Sequence, residues 1–189
     1  MVKSAGDKDM PQEVIKRVGF TEVFALNRTS KAPIVVNVGG AGSSKSYSIA
    51  QLLVYKFINE ENKVFGIVRK TFPALRMTAM GLILDLFKEY GVYKEGNHNK
   101  TSNTYIRGSN IIWFFSVDEA DKIKSTNFSY LWVEEANELS WEEYIILKLR
   151  LRAPVKEGEA NQMFLSCNPS DSFNWIAKKV CGVGLSGDN

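Results

Sequence analysis

The sequence is short of the residues on which several function classes depend. Of 189 residues only two are cysteine, Cys167 and Cys181, and one is histidine, His98. Two cysteines outside any C-x-x-C spacing build neither a disulfide framework nor a zinc ribbon. A single histidine removes His-rich metal sites and argues against a histidine triad. No stretch approaches the ~20 consecutive apolar residues of a membrane-spanning helix. The opening MVKSAGDKDMPQ lacks the apolar centre of a signal peptide. The excess of one sign of charge is also small: a net +3 permits a nucleic-acid partner without arguing for one. What remains is 44% hydrophobic and 12% aromatic, enough to build a real core and to exclude disorder as the dominant state. The expectation is one globular, cytosolic domain.

Hydrophobic patterning gives the layout. Residues 1–31 are charged and sparsely apolar, with a short helix expected near 13–18 and Phe20 and Phe24 as anchors of a covering segment. Residues 33–38, 64–68, 130–133 and 163–166 are apolar runs without polar alternation, the signature of strands buried on both faces. Between them, Ile49, Leu52, Leu53 and Phe57 recur at helical spacing over 45–59, and a second helical stretch starts at Phe72-Pro73 and closes at Gly91. Residues 104–106 and 111–115 flank Gly108-Ser109-Asn110 as an antiparallel hairpin, and 94–102 reads as a loop. Ser140, with Glu143 three residues on, forms a capping box for a helix reaching about Arg152. Strands alternating with helices predict an α/β fold, a mainly parallel sheet with helices on both faces and an antiparallel hairpin added.

The strongest chemical signal is Gly39-Gly40-Ala41-Gly42-Ser43-Ser44-Lys45-Ser46, between a strand and a helix. Gly39, Lys45 and Ser46 fall in register with the phosphate-loop pattern G-x-x-x-x-G-K-[S/T], with Ser44 in place of the second glycine. Small residues let backbone N–H groups turn around phosphate oxygens, and the helix start adds its own unpaired donors. Lys45 would reach the outer phosphates of a nucleotide, and the Ser46 hydroxyl would be a magnesium ligand. The bland alternative is a glycine-rich turn with a chance lysine, but the flanking strand and helix are the context the motif requires.

A second signal agrees. The run Tyr130-Leu131-Trp132-Val133 ends in Glu134-Glu135. At the tip of a strand near a phosphate loop, Glu134 would hold magnesium and Glu135 would activate an attacking water. Glutamate stands in a metal position where aspartate is commoner, and an acidic helix start is the competing explanation. Ser166 and Asn168 follow the last strand at the edge where α/β sheets bind ligands, although Asn168-Pro169 is also an ordinary turn device.

These segments resemble the ATPase domain of the large terminase subunit, the DNA-packaging motor of tailed bacteriophages. The resemblance is carried by VNVGGAGSSKSYSIAQ, GIVRKTFPALRMT, the hairpin leading into DEADKIKS, YLWVEEANELS and FLSCNPS, in the family's order. It implies an ASCE-type P-loop NTPase fold, with ATP and Mg2+ as cofactors. Lys45 and Ser46 match the Walker A lysine and hydroxyl, Glu134 the Walker B acid, and Glu135 the catalytic glutamate. Ser166, Asn168 and Pro169 match the motif that couples hydrolysis to DNA movement. Ala41 stands where members often carry arginine. Motors of this kind act as rings in which one subunit's arginine completes its neighbour's site; Arg76 is the first candidate and Arg69 the second. Lys122 and Lys124 are candidates to face DNA or phosphate.

The resemblance further implies sequence-independent binding of double-stranded DNA, self-assembly, contacts with a portal and a small subunit, no membrane association, and action in the host cytoplasm. The expected division is an N-terminal segment over 1–32 near the nucleotide site, an ATPase core over 33–180 and a tail over 181–189. The family's C-terminal nuclease domain is not expected within these residues. Residues Phe24 to Asn27 are a guess for the adenine flank. Two rivals remain open at this point: a small-molecule kinase, which a water-activating Glu135 disfavours, and a nucleotide-binding fragment without turnover.

Overall fold

The computed structural model describes residues 19–40, 42–118, 125–168 and 175–182. The helix expected near 13–18, together with Lys122 and Lys124, lies outside them. The covering segment is a helix, α1 (Glu22–Thr29), started by Thr21, whose Oγ1 accepts the Phe24 N–H at 3.0 Å. Strand β1 (Ile34–Val38) and helix α2 (Lys45–Asn59) then flank the glycine-rich loop. Strand β2 (Val64–Arg69) leads into one helical stretch made of α3 (Phe72–Leu75), a π-helical turn (Arg76–Met80) and α4 (Gly81–Glu89). Gly91, at φ +72, closes it in the left-handed region that glycine adopts without steric cost.

The polar segment 94–102 is not wholly loop. It contains β3 (His98–Asn99), a two-residue strand paired antiparallel with β4 (Thr104–Arg107). Strand β5 (Asn110–Ser116) completes the hairpin, turned at Gly108-Ser109 with Arg107 opposite Asn110. Strand β6 (Tyr130–Val133) carries the two glutamates at its end. Helix α5 (Trp141–Lys148) begins with both reciprocal bonds of the Ser140–Glu143 capping box, and it ends about four residues before Arg152. Strand β7 (Gln162–Cys167) is followed by a π-helical turn over Ile176–Val180.

Seven strands form one sheet in the order β1-β7-β6-β2-β5-β4-β3, parallel from β1 through β5 and antiparallel beyond. Successive residues serve opposite faces, which is why these strands carry no polar alternation. Phe65, Ile67, Trp132, Phe114 and Phe164 pack with Leu53, Phe57 and Phe87 from α2 and α4. Val68, Leu131, Val133, Met163 and Leu165 pack with Tyr144 and Leu147 from α5. Burying each such side chain contributes ~1.5–3 kcal/mol relative to exposure. Gly66 marks a tight place: a Cβ there would stand 2.5 Å from Leu131 Cδ2 and 2.9 Å from the Phe128 ring. The consequence for function lies in the order. β7 separates the strand that feeds the glycine-rich loop from the strand that ends in Glu134-Glu135.

Candidate active site

The loop after β1 is shaped by close contacts and unusual dihedrals. The Gly39 N–H donates to Cys167 O at 3.2 Å, and a Cβ on Gly39 would meet Ser43 Oγ at 2.6 Å, so a side chain there would require Ser43 to move. Gly42 has φ +80 and Ser44 has φ +55. Ser44 thus occupies, in left-handed backbone, the position where the motif ordinarily has glycine; a non-glycine residue held so costs ~1–2 kcal/mol. It is also the N-cap of α2 and makes no side-chain cap bond, and the first turn holds no acidic residue. The leading N–H groups of a 15-residue helix are therefore uncapped by side chains at the loop mouth. That is the arrangement an anionic ligand fits.

Lys45 is buried at 8% exposure, and its Nζ donates to Asn168 Oδ1 at 3.0 Å and to Gly40 O at 3.4 Å. Asn168 Nδ2 in turn donates to Glu135 Oε2 at 3.1 Å. One amide therefore joins the lysine of the loop to the second glutamate. The carbonyl and amide oxygens on Lys45 stand where phosphate oxygens would compete for the same ammonium. Glu135 is itself held at φ +48, a strained backbone typical of functional positions. Ser166, by contrast, turns into the core: it is 1% exposed and its Oγ accepts the Trp132 indole N–H at 2.9 Å. Gly40, Gly42 and Ser43 lie in the exposed loop and Ser46 on the first turn of α2. Ala41 and Pro169 lie outside the described residues.

Glu134 is 6% exposed at the end of β6. Burial pushes its carboxyl up, opposed by the Thr78 hydroxyl, the Arg69 charge and the Ala79 backbone N–H. Thr78 Oγ1 bonds Glu134 Oε2 directly, and Arg69 Nη1 stands 3.7 Å from the same oxygen. Arg69 is further held by Glu138, at 3.1 and 3.3 Å, and by Thr78 Oγ1 at 3.2 Å. Its guanidinium is thus occupied within its own chain. Arg76 is exposed on the π-helical turn beside Met77, which is 85% exposed. Sequence reasoning singles out Arg69 and Glu134 but not their contact, because the β2–β6 adjacency that brings them together leaves no local mark; Thr78 and Glu138 carry no signal at all.

Among the described residues no three His, Cys, Asp or Glu side chains cluster as a self-sufficient metal site. A single buried carboxylate such as Glu134 suits magnesium, which is usually held by one or two carboxylates together with substrate phosphates. Phe24 is 2% exposed, stacked on Phe20 and edge-on to Tyr55 of α2. Asn27, also buried, donates to Asn37 Oδ1 of β1 at 3.0 Å. No described helix is long and apolar enough to cross a membrane.

Comparison with known proteins follows the same lines. The chain is similar to the PBSX phage terminase large subunit of Bacillus subtilis (strain 168), with 31% identity over 140 residues, 73% of this chain and 31% of the relative. It therefore spans about a third of the length of that curated relative. Among solved structures, the large terminase of a thermophilic bacteriophage superposes with a TM-score of 0.71 at 17% identity, over 88% of this chain and 44% of that one; that terminase has also been solved in complex with ADP. The ATPase domain of the Thermus phage P74-26 large terminase gives a TM-score of 0.53 at 13% identity, over 89% of both chains. At such identities the structural likenesses speak for the fold. Residues 31–183 match the sequence model of the phage terminase large subunit, and with a glycine-rich strand–helix loop, a glutamate pair and a bridging Asn168 in that span, the chain belongs to the phage terminase large subunit family.

Proposed function

We propose that this chain is the nucleotide-hydrolysing part of a large terminase, a magnesium-dependent ATPase whose turnover drives double-stranded DNA into a viral procapsid. The observation that carries the reading is the Lys45–Asn168–Glu135 chain of hydrogen bonds, which ties the phosphate loop to the end of the acidic strand. Residues 33–180 would form the ATPase core, with 1–32 beside it and 181–189 as a tail. The uncapped start of α2 and Lys45 would hold the phosphates of ATP, and Ser46 and Glu134 the magnesium ion. Bound magnesium neutralises phosphate charge as it develops. Glu135 would orient and deprotonate the attacking water, and Asn168 would report on Lys45 as it changes partners. Arg76 projects from the domain and is the better candidate to complete a neighbour's site in a ring, since Arg69 is engaged in its own chain. DNA would be held by its backbone charge, with portal and small subunit as further partners in the host cytoplasm.

The test is phosphate release from Mg-ATP as protein concentration rises, with nucleotide binding measured alongside. Turnover should climb faster than concentration and vanish in Lys45→Ala and Glu135→Gln. Arg76→Ala should keep nucleotide affinity within about twofold yet lose on the order of 10³ in turnover, the usual worth of an arginine finger. Binding without turnover at every concentration would leave only a nucleotide-holding module. Absence of binding would overturn the reading.

A further inference from the structure

The π-helical turn over Arg76–Met80 interrupts an otherwise α-helical stretch, and such turns concentrate at functional sites. Ala79 and Met80 of this turn pack into the core, and two of its polar groups meet Glu134. Thr78 Oγ1 bonds Glu134 Oε2, and the Ala79 N–H faces the same carboxylate. Thr78 Oγ1 also lies 2.8 Å from Ala74 O and receives Arg69 Nη1 at 3.2 Å. A hydroxyl has one proton, and an ionised carboxylate outcompetes a neutral carbonyl for it. The result is a directed chain: Arg69 donates to Thr78, and Thr78 donates to Glu134. Both side-chain contacts fall on Oε2, so neither draws on the other carboxylate oxygen. Arg69 cannot swing away freely, because Glu138 grips it from the far side through two of its nitrogens.

We propose that Thr78 and Arg69 form a clamp, within one chain, that orients the Glu134 carboxylate for a divalent cation. Both are positioning residues, and Arg69 is not the arginine offered to a neighbouring subunit. The inference rests on Glu134 being the metal carboxylate. The π-helical turn is the device that makes it possible, since its extra residue brings a hydroxyl and a backbone N–H to the same carboxylate.

The clamp is tested on the whole chain by two titrations. The first follows Mn2+ binding by electron paramagnetic resonance in the presence of ATP. The second follows a fluorescent ATP analogue in EDTA, where no divalent cation contributes. Glu134→Gln defines the full loss of metal binding. Thr78→Val, which keeps shape and removes the hydroxyl, should raise the Mn2+ half-saturation by about 10–100-fold, the usual cost of losing a group that orients a ligand. Its EDTA affinity should stay within about twofold of wild type, a separation that general loosening of the fold would not produce. Thr78→Ser should restore metal binding to within about threefold. Arg69→Lys, which keeps the charge without the forked geometry, should lie between wild type and Thr78→Val and gives the same readout should Thr78→Val fold poorly. Wild-type metal affinity in folded Thr78→Val or in Arg69→Lys, with loss in Glu134→Gln, would overturn the clamp alone. Wild-type metal affinity in Glu134→Gln would remove the metal role of Glu134 and the clamp with it.

Discussion

Lys45 and Asn168 are 123 positions apart in the sequence, yet they make one contact at 3.0 Å. A double-mutant cycle measures it. A hydrogen bond to a charged group contributes ~1.5–3 kcal/mol. Two features pull this one toward the low end: Lys45 keeps a second, longer partner in Gly40 O at 3.4 Å, and Asn168 is only half-buried. The coupling energy between Lys45→Ala and Asn168→Ala should therefore be about 1–2 kcal/mol in urea unfolding without nucleotide. Asn168→Ala alone also strips a donor from Glu135, so its own loss should be larger, about 2–3 kcal/mol, seen as a fall of roughly 4–12 °C in Tm at this chain length. If Lys45 holds phosphate as proposed, saturating Mg-ATP should narrow the deficit, because phosphate would replace the amide as the partner of Lys45. Additivity within about 0.5 kcal/mol, the scatter of independent sites, would refute the direct link between loop and last strand.

Two further outcomes follow from the fold. Gly66→Ala should destabilise by about 1–3 kcal/mol through overpacking, because the new methyl would press on Leu131 and Phe128, both fully buried; Leu131→Ala in the same chain should recover part of that loss in thermal unfolding, and a purely additive pair would discount the clash. Glu143 is raised by burial but brought below the ordinary carboxylate range by Lys70 and by the Ser140 backbone and hydroxyl. A carboxylate with a depressed folded pKa contributes stability that is full above its unfolded pKa and is lost as pH falls through the folded value. Denaturation followed from about pH 7 down to about pH 3 should thus show a shallower decline in Glu143→Gln than in wild type, and parallel curves would argue against the assignment.

Much of the fold was legible because its signals are local. The apolar runs that became β1, β2, β6 and β7 carry no polar alternation, and the Ser140–Glu143 box appears with both of its bonds. What escaped was made by tertiary partners. β3 exists because His98 and Asn99 meet Tyr105 and Thr104, not because two polar residues favour a strand. The π-helical turn at Arg76–Met80 has no compositional cue, and α5 stops at Lys148 although apolar residues continue to Leu151. At the site, motif spacing gave Lys45, Glu134, Glu135 and Asn168 as candidates. Spacing along one chain could not show that Asn168 stands between Lys45 and Glu135, that Ser166 serves Trp132, or that Arg69 belongs to Glu134 and Glu138.

β7 has a consequence for how firmly the two halves of the site are held in register. All six of its residues are buried and it is paired on both sides, with β1 and with β6. Sliding it by a single residue would send Phe164 and Leu165 to each other's face, so the strand cannot travel by small increments. It serves instead as a common ruler. The loop that ends at Lys45 and the turn that begins at Glu134 are both set against it, and Asn168, the first residue past its end, bonds to Lys45 on one side and Glu135 on the other.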